Sequence, residues 1–373
     1  MKKIKFNTLF KNINLGILIP MLALCIIGCI MVYSASFYSA QLNYNNQYYF
    51  LTKQIIGVVL GIIAFSFMSI IDYNILKKIS TILLIISVLL LIALFIPGLG
   101  FTNYGATRWI NLGFFTFQPS EIAKFAFVIF CANHLSKNIE EKSIIKKILP
   151  ILFVGGGICL LIMLEPNMSI TICVGLVMLF MIFISGVDSR IFVGLGAMIC
   201  LCVPILIIIE PYRFKRLIAF IDPWSNALDE GYQLVQSLYA LGAGGLFGVG
   251  LFNSRQKYLF LPFSESDFIF SIIGEEFGLF GVTIIMILYG LIIFNGIKIA
   301  IKCKDTFGTY LSSGIVAVIT AQVLVNIAVV TGSVPPTGVP LPLISAGSTS
   351  IIVFMSALGI LSNISKQSNK IIL

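Results

Sequence analysis

Charge is what this sequence has least of. Only 10% of its 373 residues are Asp, Glu, Lys or Arg, against 58% hydrophobic, and the mean hydropathy is +1.05. A soluble domain carries roughly 25% charged residues, and a water-facing surface cannot be covered with so few. Histidine is nearly missing too. The single one, His134, ends an apolar run near Lys137 on the inner side, which leaves no Ser-His-Asp arrangement for an outer site. The glycine-rich stretch Gly242, Gly244, Gly245, Gly248 and Gly250 is not followed by Gly-Lys-Ser or Gly-Lys-Thr, so it is no nucleotide loop. No basic-aromatic patch of nucleic-acid type is present, and the net charge of +9 reads as anionic-lipid contact and loop bias. A cysteine framework is lacking as well. Of the 8 cysteines, all but Cys303 lie in apolar runs, and no His or carboxylate completes a metal site beside Cys200 and Cys202. They read as small packing residues, and no metal ligands are assigned.

What is present is a series of long uncharged apolar runs, each near the roughly 20 residues that cross a hydrocarbon core as a helix. The pattern predicts spans over 15–35, 53–71, 79–97, 118–135, 148–164, 169–185, 190–209, 267–296, 311–332 and 347–364. The fold expected is an all-α integral membrane protein of about ten transmembrane helices, one polytopic domain over 1–373. Lys2, Lys3, Lys5 and Lys11 precede the first run, which has no small-residue cleavage site and reads as a span with its N-terminus in the cytoplasm. With alternation, the short loops holding Lys77, Lys78, Lys137, Lys142, Lys146, Lys147, Lys298, Lys302 and Lys304 fall inside, as does the C-terminus. Trp109 and Trp224 fall outside, near span ends. A large extracytoplasmic loop, about 210–266, separates spans seven and eight, and loops of that length are usually functional. The stretch 332–350 is apolar but holds Pro335, Pro336, Pro340 and Pro342, which suits a re-entrant wall buried in protein.

Several charges stand where charge is costly. Asp267 opens the eighth span after Ser264-Glu265-Ser266. It reads either as a first-turn acid stabilised by the helix dipole or as a general base at the mouth of a cavity. The helix lowers its pKa and desolvation raises it, and a base working near neutral pH needs the second effect. Glu275 and Glu276 follow roughly 12–13 Å deeper on a straight helix, where they need a partner. Gln118-Pro119-Ser120-Glu121 carries helix-start signals, and Lys124 shares a face with Glu121: a functional intramembrane lysine or a local ion pair. Arg108-Trp109, Arg255 and Lys257 stand on outer segments, and cations beside one acid suit an anionic group such as a pyrophosphate.

Taken in order, these stretches resemble the SEDS family, the FtsW, RodA and SpoVE proteins. They are Arg108-Trp109-Ile110-Asn111-Leu112-Gly113, Phe117 to Lys124, Asp222-Pro223-Trp224, Gly231 to Leu238, Arg255-Gln256-Lys257, Leu261 to Phe270, Gly274-Glu275-Glu276 and Pro336 to Pro342. The resemblance covers nearly the whole chain, and the loop stretches look nearer the FtsW and SpoVE branch than RodA. Two stretches depart from it. Phe263-Ser264-Glu265-Ser266 stands where the family usually has Glu-x-His-Thr, and Ser345-Ala346-Gly347-Ser348-Thr349-Ser350 where it has Ser-Tyr-Gly-Gly-Ser-Ser.

The resemblance implies an inverting peptidoglycan glycosyltransferase of the bacterial cytoplasmic membrane. Such an enzyme polymerises lipid II, with its undecaprenyl-pyrophosphate-linked glycan, into β-1,4 strands on the outer face. It implies Asp267 as the catalytic residue. Arg108, Trp109, Glu121, Lys124, Arg255 and Lys257 are the candidate substrate-binding residues, and Gln118, Ser120, Glu275 and Glu276 the structural intramembrane polar set. It also implies a class B penicillin-binding protein as partner, with other membrane proteins of a division or elongation complex. A divalent cation, magnesium or manganese, is compatible with it; an organic cofactor is not expected. The rival readings are a lipid II flippase, which suits Lys124, Glu275, Glu276 and the proline-rich segment, and a non-catalytic scaffold for the penicillin-binding protein.

Overall fold

A computed structural model describes residues 13–103, 106–111, 116–139, 143–194, 196–197 and 211–370. Helix α1 (Leu15–Tyr44) starts where Asn14 accepts from the Gly16 N–H at 3.0 Å and stops at Asn45, whose φ of 52° is left-handed. Helices α2 (Tyr49–Ile70) and α3 (Asn74–Ala93) follow. Then come strands β1 (Gly100–Asn103), β2 (Ala106–Asn111) and β3 (Thr116–Phe117), and helices α4 (Pro119–Lys137), α5 (Ile144–Leu164) and α6 (Met168–Ile184). The chain continues through α7 (Pro211–Ile221), α8 (Tyr232–Gly244), α9 (Ile269–Lys302), α10 (Thr306–Val330) and α11 (Ser348–Lys370).

Among the described residues, 7 helices are long and apolar enough to cross a membrane: α1, α2, α3, α5, α9, α10 and α11. With the composition, this defines a helical multi-pass membrane protein. Helix α4 is different. Glu121, Lys124, His134 and Lys137 interrupt its apolarity, yet it is buried on nearly every face, wedged between α3 and α10. Helix α6 has 17 residues. The expected span 190–209 lies largely outside the described residues, as do Cys200 and Cys202. The helices of the other expected spans begin or end up to about nine residues away, because helices extend past the hydrocarbon into the interface.

The expectation of a purely α-helical chain is corrected at one place. The segment before α4 folds into a three-stranded antiparallel sheet in the order β1-β2-β3, with Phe101 opposite Trp109 and Ile110 opposite Phe117. Thr107, Trp109 and Ile110 are strand formers. The run is too short to register in windows sized for membrane spans.

Helix α9 is broken inside the bundle. Gly278 has φ 62° and ψ −162°, so the ladder stops there and restarts. The bonds that a continuous helix would make from Leu279 to Glu275 and from Phe280 to Glu276 are replaced by four bonds to the loop after α8. Val249 N–H donates to the Glu275 carbonyl at 2.9 Å and Gly250 N–H to that of Glu276 at 3.0 Å. Leu279 N–H donates to Gly245 at 3.0 Å and Phe280 N–H to Leu246 at 3.1 Å. A side chain at Gly248, where φ is 79°, would run into the Glu276 carbonyl.

Side chains lock the same joint. Lys257 Nζ lies 2.9 Å from Glu276 Oε1, with both side chains 0% exposed, and Ser34 Oγ of α1 donates to that oxygen at 2.6 Å. Ser254 Oγ donates to Glu275 Oε2, and the Arg255 N–H to Glu275 Oε1 at 2.8 Å. Removing one partner of a buried pair leaves an uncompensated charge. Lys257→Met is therefore expected to destabilise by about 3–5 kcal/mol, and adding Glu276→Leu to restore most of the loss. Thermal unfolding in detergent checks this; an unchanged midpoint for the single variant would remove the pair from the joint.

Candidate active site

Asp267 stands two residues before Ile269, the first residue of α9, so it lies outside the first helical turn where the dipole would hold it. Its backbone is fixed from two directions. Asn326 of α10 donates through Nδ2 to the Asp267 carbonyl at 2.9 Å and to the Val339 carbonyl at 2.6 Å. One turn earlier on α10, Gln322 donates to the Pro340 carbonyl at 2.9 Å. Ser345 Oγ donates to the Ser266 carbonyl at 2.6 Å, and the Ala346 N–H to that of Glu265 at 2.9 Å. The proline-rich stretch after α10 contains no helix, and Val339, Leu341, Leu343 and Ile344 in it are buried. It forms the wall against which Asp267 rests. At Gly338 a methyl group would fall 2.5 Å from Asp267 Oδ2, so the carboxylate lies directly on glycine backbone.

Asp267 is half-buried, with protein around most of it. Burial pushes its carboxyl up to about 6; Arg108 and Arg216 pull it down, and Glu265 pushes it further up. Of the two opposing effects weighed from the sequence, desolvation is the stronger. Arg108 reaches the site from β2, with its Nε 3.4 Å from the Glu165 carbonyl and its Nη2 bonded to the Pro166 carbonyl. Arg216 comes from α7, with Nη1 3.4 Å from the Pro336 carbonyl. Trp109 follows Arg108 on β2.

The other expected residues divide. Arg255 is exposed on the loop after α8. Lys257, expected at the substrate, is 1% exposed and held by Glu276 and Ser34, the Glu276 carboxylate needing a buried cation. Glu275 and Glu276 belong to that joint. Lys124 is 1% exposed and lies 3.0 Å from Glu121 Oε1, bonded to Gln322 Oε1 and 5.3 Å from the centre of the Phe354 ring. Glu121 also accepts from Ser350 Oγ at 3.2 Å. Lys124 and Glu121 thus form a buried pair joined to Gln322 of α10 and Ser350 of α11. Gln118 occupies the N-cap position of α4 without a side-chain capping bond, and the Ser120 hydroxyl is buried without a hydrogen-bond partner.

Sequence reasoning missed Arg216, Asn326 and Gly338 as members of the site. Gln322 and Asn326 gave a readable signal, two amides four residues apart in an apolar helix. Gly338 gave none, since only packing places it under Asp267. Among the described residues, no group of three or more His, Cys, Asp or Glu side chains could hold a metal ion. An apolar groove of about 260 Å³ along α3 and α4, lined by Leu76, Ile79, Phe125 and Ile129 among others, does not include Asp267, Arg108 or Arg216.

The fold and the site together define a polytopic helical membrane protein with a half-buried carboxyl, Asp267, within electrostatic reach of two arginines and set against irregular backbone. The chain belongs to the FtsW–RodA–SpoVE family of cell cycle proteins, whose model matches residues 15–370. It is 39% identical over 357 residues to stage V sporulation protein E of Bacillus subtilis, covering 95% of this chain and 97% of that one. It is 35% identical over 341 residues to a probable peptidoglycan glycosyltransferase FtsW of Geobacter sp. (strain M18), covering 91% and 93%. A chain from a peptidoglycan synthase complex that coordinates polymerization and crosslinking superposes with a TM-score of 0.80 at 25% identity, covering 96% and 99%. The rod shape determining protein RodA of Thermus thermophilus does so at 0.69 and 23%, covering 96% and 98%.

The raised pKa fixes a sign. A carboxyl held up to about 6 when folded gives stability when protonated and loses it as pH rises through that value. Asp267→Asn should therefore unfold near the wild-type temperature at about pH 4 and at a higher temperature above about pH 7. Detergent-phase melting curves test it; a pH-independent difference would show that burial does not raise Asp267.

Proposed function

We propose that this chain is an inverting peptidoglycan glycosyltransferase that polymerises lipid II at the outer face of the cytoplasmic membrane. The observation that carries the reading is Asp267: one carboxyl, lifted to about 6 by burial, held from the backbone side and flanked by Arg108 and Arg216. A base with its pKa near the working pH is efficient. Asp267 takes the proton from the 4-hydroxyl of the acceptor sugar. The freed oxygen attacks the anomeric carbon of the donor, and undecaprenyl pyrophosphate leaves, turning an α-linked donor into a β-1,4 product. One displacement needs one base and no covalent carboxylate partner. Arg108, Arg216 and the exposed Arg255 supply positive charge for the pyrophosphate. A divalent cation, magnesium or manganese, would have to rely on pyrophosphate oxygens for most of its ligands; the proton transfer runs through protein groups alone.

The same reading puts both termini in the cytoplasm, ten crossings in all, and residues 210–266 outside. That orientation brings Arg108, Arg216 and Asp267 to one side of the membrane, where the glycan is built. The likeness to a chain of a peptidoglycan synthase complex supports a class B penicillin-binding protein as partner, and the likeness to stage V sporulation protein E and FtsW supports work in septal or spore wall synthesis. The flippase reading needs open polar groups along a path to the cytoplasm. Lys124, Glu275 and Glu276, which suited it, are all engaged within the protein.

Purified protein, co-expressed with its penicillin-binding partner and given labelled lipid II and magnesium, should yield glycan polymer on a gel. Asp267→Asn should yield none while still binding the partner. Gly338→Ala, which moves the carboxylate without removing it, should lower kcat by about 10²-fold, the scale of a misplacement near 1 Å. Equal polymer from wild type and Asp267→Asn would sink the assignment.

A further inference from the structure

Helix α7 carries Arg216 to the site, yet its opposite face has no task in the reading above. Its 11 residues include Arg213, Lys215 and Arg216 and no acid. At roughly 100° per residue, Arg216 and Ala219 fall on one side and Phe214, Ile218 and Ile221 on the other. The structure shows the same division. Arg216 Nη1 lies 3.4 Å from the Pro336 carbonyl and Ala219 is buried, whereas Phe214, Ile218 and Ile221 are exposed, the last at 74%. A helix bathed in water turns its polar face outward; this one turns an apolar stripe outward. Trp224, shortly past the end of the helix, is exposed as well, edge-on to Tyr239 of α8 with ring centres 5.4 Å apart. Among the described residues, no helix or strand packs along α7 to cover the stripe. The level of the helix follows from what Arg216 reaches. Pro336 lies just past Val330, the last residue of α10, and α10 is long and apolar enough to cross the membrane. The end of α10 marks one face of the bilayer, and α7 lies at that face.

We propose that α7 is a membrane-interface helix lying in the plane of the outer leaflet, with Phe214, Ile218 and Ile221 against lipid acyl chains and Lys215 at the lipid phosphates. A helix with an apolar stripe and a basic flank binds at the boundary between head groups and acyl chains, and anionic lipid adds electrostatic attraction. Lys215 is exposed, which meets the second condition. An indole such as that of Trp224 favours the same level. Phospholipid is the occupant that the position selects, because acyl chains surround the end of a membrane-crossing helix on every side not covered by protein. Arg216 and the stripe stand on opposite sides of one short helix, so α7 is held between the wall and the bilayer. The depth at which it rides sets how Arg216 meets the Pro336 carbonyl. The glycosyltransferase reading supplies which leaflet is the outer one and the activity that reports on Arg216; the contact with lipid does not rest on it.

Photo-crosslinking distinguishes the occupants. Benzoylphenylalanine replaces Phe214, Ile218 or Ile221, one at a time, in the full chain bound to its penicillin-binding partner. The complex is irradiated in nanodiscs of phosphatidylglycerol and phosphatidylcholine in equal amounts, and the adducts are identified by mass spectrometry. Phospholipid adducts should dominate at all three positions. Adducts mainly to the partner, or to a second copy of this chain, overturn lipid as the occupant, and no adduct at any position puts the stripe in water and overturns it too. Phosphatidylglycerol should be labelled about fivefold over phosphatidylcholine, and Lys215→Gln should bring that ratio near one; an unchanged ratio removes Lys215 from the phosphates. The link to the site is read from turnover. Ile218→Asn should raise the KM for lipid II about tenfold with partner binding retained, and Ile218→Met should leave it within about twofold. Equal KM values in all three proteins would detach the lipid seat from Arg216. If Ile218→Asn fails to fold, the crosslinks still decide the occupant. Lipid adducts without polymer from wild type would sink the glycosyltransferase reading and leave the interface helix standing.

Discussion

A backbone group inside the bilayer has no water to bond to, and this protein breaks a membrane helix in spite of that. The break at Gly278 frees the carbonyls of Glu275 and Glu276 and the N–H groups of Leu279 and Phe280. The loop after α8 takes up all four. Unsatisfied groups there would each cost several kcal/mol, so helix and loop can exist only together. The two acids on the broken turn tighten the joint, since each is bonded into the 254–257 stretch and Glu276 is also tied to α1 through Ser34. Glycine at 248 and 278 is needed because the two backbones meet too closely for side chains.

Asp267 depends on that joint. It sits at the end of the loop and before the upper half of α9, so both flanks of the carboxyl-bearing segment are anchored. The proline-rich wall supplies the third support. Prolines prevent the segment after α10 from continuing as helix, which leaves carbonyls that α10's amides, Gln322 and Asn326, reach back to satisfy. Asn326 bonds to the wall and to the Asp267 carbonyl at once, so the wall and the acid share one fastener. Lys124 and Glu121 form a buried pair beside Gln322, so the charge of each is compensated. Catalytic groups are usually held by such shells of bonded neighbours.

The electrostatics of the mouth follow from the same packing. The arginines reach it from β2 and α7, elements far apart in the chain, and both are seated on backbone carbonyls. A carboxyl at the mouth then feels burial raising its pKa and two cations lowering it, and settles near neutrality. That balance suits a group that must accept a proton and lose it again in each cycle.

The sequence by itself determined the membrane character, because apolar runs without charge leave lipid as the only workable solvent. It also determined the helical class and the prominence of Asp267, which opens an apolar run after a long polar segment. The motifs from Arg108 to Pro342 carried the family. The partners of the charges were decided only by the tertiary structure. Lys257 reads as a substrate cation from its place beside Arg255, yet it turns inward to Glu276. Arg216 reads as one of several interfacial cations, yet it reaches the wall of the site. Nothing in local sequence distinguishes the two outcomes, since each depends on which distant backbone groups are left unsatisfied. Gly278 as a break point and Gly338 as the floor under a carboxylate were hidden for the same reason: a glycine states that a backbone can bend or be approached, and only the packed neighbours say by what.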